Sequence, residues 1–191
     1  MINIRRRSLI GSKSTDLLYS LYNYQFSKES INTGVPLLKA GLASTILLDI
    51  KLDTTPVSGI GSTTKLIYLY NNSLAANGLY VGRKLYQNTI NLWWMGSSDQ
   101  ASNIQFGKYR FKIVITHAED SNDVTMTIKK YTAPPTSDTV TFSNTFTAAP
   151  INLLFFGGPS GADKLPTGTI YTAEVYNRVL TSTEINSFLA A

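Results

Sequence analysis

The chain has 191 residues and a mass of 21.0 kDa, the length of one domain, and its 43% hydrophobic content is enough for a real core and excludes disorder as the main state. With no cysteine and a single histidine, His117, it has no disulfide scaffold, no thiol catalysis and no multi-histidine zinc site. Charged residues are sparse at 15%, and no apolar run approaches the roughly 20 residues of a membrane helix, so neither a typical cytosolic enzyme nor a membrane-inserted protein is expected.

Charge is concentrated at one end. Arg5, Arg6, Arg7 and Lys13 supply four of the 17 basic residues within the first 13 positions, which hold no acid. They account for most of the net charge of +5 and leave the remainder at +1. Residues 1–20 read as a basic arm with a Gly11-Ser12-Lys13-Ser14 linker, and residues 21–191 as the domain. Three arginines in a row make a weak phosphate-binding signal, so a solvated or partner-docked tail is preferred and nucleic acid is not expected as the main partner. The arginines are followed by Ser8-Leu-Ile-Gly-Ser-Lys13, too polar for the apolar stretch of a secretion signal, so Sec export is not expected.

From there the apolar period is two, the signature of half-buried strands. In Thr45–Asp53, Ile46, Leu48, Ile50 and Leu52 share one face, while Thr45, Asp49, Lys51 and Asp53 share the other. Thr54–Thr64 reads as a loop. Lys65–Tyr70 and Leu79–Lys84 are strands joined through Asn71-Asn72 and Asn77-Gly78. Thr89–Met95 is a strand, and Gly96–Asn103 a polar loop. Tyr109–Thr116 and Val124–Lys130 form a hairpin around the acidic turn Glu119–Asp123, ended by Ala133-Pro134-Pro135. Val140–Phe146, Ile151–Phe156 and Thr169–Tyr176 complete about ten short strands, the pattern of an all-β, two-sheet antiparallel sandwich. One helix is expected, at the C-terminus: Thr181-Ser-Thr-Glu184 is a capping box, and Ile185, Phe188 and Leu189 follow as an apolar face.

The stretch Gly168-Thr-Ile-Tyr-Thr-Ala-Glu-Val-Tyr176-Asn-Arg178-Val-Leu180-Thr-Ser-Thr-Glu184-Ile185 resembles the closing motif of laminin G-like domains of the concanavalin A-like lectin/glucanase superfamily. In that family a strand begins after a glycine, ends in Tyr-Asn-Arg-x-Leu and leads into a short Ser/Thr-capped helix. Ile151–Gly158, Thr45–Asp53, and Tyr24-Gln-Phe26 with Ile31-Asn-Thr33-Gly34 are similar to upstream strands of the same family. Where family members often carry a Trp-His pair, this chain has Phe106–Tyr109, and where they often carry two acids after the closing glycine it has Tyr171 and Thr172. The resemblance implies a jelly-roll sandwich and a lectin-like role. A short basic arm leading into one such domain is also similar to phage and prophage proteins of gut Bacteroidetes, which are regarded as virion or tail-associated modules.

The chemistry of the residues favours binding over catalysis. Glucanases of this fold resemble one another in a Glu-x-Asp strand that is absent here. The nearest acid pair, Asp49 and Asp53, lies four residues apart, roughly 13 Å at strand rise, against the roughly 5–5.5 Å of a retaining glycosidase. His117, beside the acidic turn, reads as a loop histidine, and Glu119-Asp120-Ser-Asn-Asp123 reads as a turn, with an oxygen-ligand calcium site as the alternative. No metal or cofactor is expected. The candidate ligand-binding residues are Trp93, Asn91, Tyr68, Tyr70 and Tyr86: aromatic rings stack on sugar faces and the amide bonds hydroxyls, while the alternative is simple strand packing. The expectation is a non-enzymatic virion component, at the capsid or a tail fibre, docked to other virion proteins through Arg5, Arg6 and Arg7 and binding surface or mucosal glycans. The alternatives are a free, extracellular lectin-like module of a gut bacterium and, third, a glycoside hydrolase.

Overall fold

Alternating apolar residues carry the chain into strands, and a computed structural model describes residues 16–34, 43–54, 63–70, 78–83, 88–94, 99–119, 121, 123–143, 153–158 and 166–191. Arg5, Arg6, Arg7 and Tyr86 lie outside the described residues. The strands are β1 (Leu17–Ser27), β2 (Ile31–Asn32), β3 (Ser44–Leu52), β4 (Thr64–Tyr70), β5 (Gly78–Arg83) and β6 (Thr89–Trp94). They continue with β7 (Asp99–Gln105), β8 (Arg110–His117), β9 (Asp123–Tyr131), β10 (Thr136–Ser143), β11 (Leu153–Phe156) and β12 (Thr167–Tyr176), before the helix α1 (Ser182–Ala190).

Among the described residues the strands form two six-stranded antiparallel sheets, β1-β12-β3-β8-β9-β10 (sheet A) and β2-β11-β4-β5-β6-β7 (sheet B). They pack face to face as the expected jelly-roll sandwich. The core takes Ile46, Leu48, Ile50, Phe111, Ile113, Ile115, Val124, Met126 and Ile128 from sheet A, and Ile67, Leu69, Leu79, Val81, Leu92, Leu154 and Phe156 from sheet B. These are the positions that period-two alternation places on one face. Two phase changes keep the alternation in step with the core. Asn23, at φ 50°, separates Leu21 from Tyr24, and the bulge at Tyr171 lets both Ile170 and Ala173 point inward.

The strand boundaries depart from the sequence expectation in three places. Sheet A starts at Leu17, four residues inside the stretch read as the arm, because Leu17–Ser20 pair with the end of β12. Asp99–Gln105 is a strand, not a loop. Only Ser102 and Ile104 of its described side chains turn inward, so an apolar count misses it, and the Ser102 hydroxyl donates to the Ile90 carbonyl at 2.6 Å. β10 begins at Thr136, directly after the Thr132–Pro135 turn, in register with β9 from Lys130 onward. His117 is not on a loop: it ends β8, buried, opposite Ser44 and Val124.

The closing motif forms a corner that explains its residue types. Thr45, fully buried on β3, donates to the Arg178 carbonyl at 2.9 Å and accepts from the Leu180 N–H at 3.0 Å. Leu180 packs with Leu47 and Val114, and Ile185 joins the same cluster, so an apolar pair brackets the Thr181 cap. The capping box is formed: the Thr181 hydroxyl accepts from the Glu184 N–H, and the Glu184 carboxylate accepts from the Thr181 N–H at 2.8 Å. Arg178 grips Glu184 with two bonds of 2.9 and 2.6 Å and reaches Asp16 at 3.0 Å, tying the start of β1 to the start of α1. Arg178 and the Thr181 donors together hold the Glu184 carboxyl down at about 2.

Candidate functional site

Register brings the predicted ligand-binding residues of sheet B together. Phe155, Tyr68, Tyr80, Trp93 and Asp99 occupy successive positions of one cross-strand row, and Lys65, Gly82, Asn91 and Ala101 occupy another. Tyr70 pairs with Gly78 and Leu153. Tyr70, Trp93 and Trp94 are described in their backbone only. The described side chains do not make an open platform. Tyr68 and Tyr80 are 4% and 2% exposed and stack on each other, with centroids 4.8 Å apart and planes 10° apart. The Lys65 ammonium lies 4.7 and 4.5 Å from the two ring centroids. Their π-faces are thus taken by each other and by a cation. Asn91 is fully buried and donates to the Thr89 carbonyl at 2.7 Å. Tyr68 and Asn91 are therefore packing residues here, which corrects the reading of them as sugar contacts. The reason is tertiary: the face that alternation assigns to solvent is closed over these two side chains.

The acidic turn is held by local bonds, the Ser121 N–H to the Ala118 carbonyl at 3.2 Å and the Asp123 N–H to the Ser121 hydroxyl at 2.9 Å. Asp120 and Asn122 lie outside the described residues, and no group of three or more metal-ligating side chains occurs among the described ones. Among the described residues no helix is long and apolar enough to cross a membrane.

An open groove of ≈ 700 Å³ lies on the opposite side of the molecule, on the outer face of sheet A. Its floor is the β9–β10 hairpin. Thr127 faces Thr139 across the ladder, with hydroxyls 3.2 Å apart, and Lys129 pairs with Ser137. Its wall is α1, which contributes Asn186, Leu189 and Ala190. Asp138 closes one end with both oxygens occupied, by the Asn103 N–H at 2.7 Å and the Thr139 N–H at 2.9 Å. The groove therefore presents hydroxyls, one amide and one ammonium against an apolar leucine edge. Period-two alternation singles out the inward positions Val124, Met126 and Ile128 and leaves these groove residues unmarked. The signal was the other parity of the same strand, Thr125, Thr127 and Lys129.

The wall is positioned by its last turn. The final carbonyls of a helix lack intrahelical partners and carry partial negative charge. Here Lys112 donates to the Phe188 carbonyl at 2.6 Å, and the Leu189 carbonyl accepts from Lys129 and from the Tyr131 hydroxyl, both at 2.8 Å. Beneath them Asp49, 3% exposed, accepts two bonds from Arg110 at 2.8 and 2.6 Å and stands 3.8 Å from the Lys112 ammonium. Asp49 is thus committed to holding the helix-bearing face, and Asp53 pairs with Lys51 at 3.0 Å. The structure does not bring these two acids together as a catalytic pair.

No protein-family model matches the chain, and no curated protein matches it. Solved structures do match its fold. The Trypanosoma rangeli sialidase aligns with a TM-score of 0.59 at 16% identity, over 88% of this chain and 27% of that one. The LG1–3 region of the laminin α2 chain aligns with a TM-score of 0.56 at 13% identity, over 79% of this chain and 30% of that one. The CBM40 of the Ruminococcus gnavus IT-sialidase, bound to α2,3-sialyllactose, aligns with a TM-score of 0.54 at 14% identity, over 88% of this chain and 96% of that module. This chain thus spans less than a third of the laminin and sialidase chains but nearly the whole of the carbohydrate-binding module. At these identities the likeness is one of fold, the concanavalin A-like sandwich of laminin G domains.

Proposed function

We propose that the chain is a non-catalytic, lectin-like module that binds glycans in the groove between α1 and the β9–β10 hairpin. The groove itself carries this reading. Its ≈ 700 Å³ lies within the roughly 300–1,000 Å³ of small-ligand sites, and its lining of Thr127, Thr139, Ser137, Asn186 and Lys129 offers hydroxyl, amide and ammonium groups beside Leu189. Such groups match the alternating hydroxyl and C–H surface of a sugar. The single carboxylate of the lining, Asp138, is occupied by two backbone N–H groups, whereas glycoside hydrolysis needs a cooperating pair. A carbohydrate-binding module of the same fold and nearly the same extent lends support by analogy.

Titration against glycans that score on an array tests the site. Thr127→Val combined with Asn186→Ala is expected to weaken binding at least about tenfold, a loss of about 1.4 kcal/mol, with the melting temperature unchanged. Absence of any glycan binding overturns the function. Binding lost in Trp93→Ala but untouched in the double variant moves the site to sheet B.

For the setting of that module we infer a phage particle, with a free extracellular lectin as the alternative. The supporting observation is the charge asymmetry: four cations and no acid in the first 13 residues, against +1 for the rest. A detachable docking arm on a neutral body has this distribution. Replacing Arg5, Arg6 and Arg7 by serine is expected to remove the protein from purified particles while leaving its fold and glycan binding intact. Undiminished incorporation removes the arm from the assembly.

A further inference from the structure

We propose, resting on the reading of the groove as a glycan site, that it selects saccharides carrying an acetamido group. The carbonyl of that group would be held by the donors of Lys129 and Asn186, and its methyl by the Leu189–Ala190 edge of α1. Which sugar a groove prefers follows from the donors and acceptors it has left once its internal bonds are made, because a polar group buried by the ligand without a partner is costly.

The groove is rich in donors and short of strong acceptors. A plain ring hydroxyl donates as well as accepts, and its strongest protein acceptor is a carboxylate. Asp138, the single carboxylate of the lining, already has one bond on each oxygen, from the Asn103 N–H and the Thr139 N–H. Thr127 and Thr139 share one hydrogen between hydroxyls 3.2 Å apart. Lys129, by contrast, has three N–H donors and gives one to the Leu189 carbonyl at 2.8 Å. The amide of Asn186, at an exposed position of α1, brings two more. A ligand group with a strong acceptor is therefore matched better than another hydroxyl.

The apolar edge selects among acceptors. Asn186, Leu189 and Ala190 are spaced i, i+3 and i+4 on α1, so the amide and the apolar edge are neighbours on one helix face. Leu189 is half-buried and Ala190 exposed. The edge is fixed in place, since the Leu189 carbonyl accepts from both Lys129 and the Tyr131 hydroxyl at 2.8 Å. The ammonium that fixes the edge thus brings its remaining donors beside it. A carboxylate or sulfate would satisfy these donors but leave Leu189 and Ala190 against water. An acetamido group carries a carbonyl and a methyl on one carbon, which answers both, and the hydroxyl oxygens of the threonine pair are acceptors for its N–H.

Trisaccharides that share a β-linked glucose backbone separate the possibilities: cellotriose with hydroxyls, chitotriose with acetamido groups, and a glucuronic acid trimer with carboxylates in place of the primary hydroxyls. In calorimetric titration of the full chain, chitotriose is expected to bind at least about tenfold more tightly than either of the others. Asn186→Ala and Ala190→Gln, both at exposed positions, are each expected to cut that preference at least about threefold with the melting temperature unchanged. Equal binding of cellotriose and chitotriose overturns the acetamido selectivity while leaving the glycan site standing. Tighter binding of the acidic trimer overturns it in favour of an anionic ligand. A preference that survives both substitutions overturns the assignment to this face of α1. Binding of none of the three overturns the selectivity as well, and the glycan array then decides separately whether the groove binds sugars at all.

Discussion

Gly168→Ala is expected to destabilise the fold by about 3 kcal/mol, at the upper end of overpacking costs because the obstruction is main chain. A Cβ built there would lie 2.0 Å from the Lys51 carbonyl oxygen and 2.9 Å from the Phe26 ring. Neither neighbour can yield easily: Gly168 pairs with Leu52 on one side and Phe26 on the other, so relief requires separating β12 from β3 or β1. The measurement is a urea titration, with the midpoint falling and the slope unchanged. Gly34→Ala is the control. That glycine has φ 67° but nothing within 4 Å of an added Cβ, so its cost is backbone strain alone, about 1 kcal/mol. Equal losses at the two positions would show that close approach is not what requires glycine at 168.

Asp49→Ala is expected to lose about 3–5 kcal/mol, the cost of removing one partner from a buried ion pair. Arg110 is partly exposed and can turn to water, but the Lys112 side chain is 3% exposed and would keep its ammonium below α1 with no anion beside it, held only by the Phe188 carbonyl. The deficit should depend on pH with a definite sign. Burial already pushes the Lys112 ammonium below its ordinary value of 10.5, with Asp49 pulling the other way, so removing Asp49 lowers it further. Below the folded pKa both states carry the charge and the folded state bears the full penalty. Between that value and 10.5 the unfolded chain binds more protons, so stability rises with pH. The gap between Asp49→Ala and the unsubstituted protein should therefore narrow from pH 7 toward 10.5 in chemical denaturation. A gap that stays constant would mean that Lys112 does not bear the lost charge.

The fold and the candidate site were not equally legible in the chain. The closing motif could be read almost residue by residue. Thr181 and Glu184 cap a helix by local chemistry, and the strand before them declares its inward residues by alternation. The candidate site could not be read this way. Tyr68, Tyr80 and Trp93 fall in one row only because β4, β5 and β6 adopt a particular register, with a bulge between Lys65 and Ile67. Whether such a row is open or closed depends on what lies over it, and Tyr68 and Asn91 are buried. The groove joins β9 and β10 to a helix more than 40 positions further along the chain, and no local pattern links Thr127 to Asn186.

What the amino-acid order determined by itself is the all-β class, the inward face of most strands and the helical end. Each follows from interactions within a few residues: the period-two hydrophobic pattern, turn chemistry and a reciprocal cap. Only the tertiary structure decided the fate of the second face of sheet A. Alternation marks Asp49 and Lys112 as solvent-facing, yet α1 and the corner at Leu180 cover them with Thr45, Leu47 and Val114. Their charges are tolerated because Asp49, Arg110, Lys112 and the last carbonyls of α1 satisfy one another. That network depends on contacts across 61 and 76 positions of sequence, which chain folding alone brings within hydrogen-bond reach.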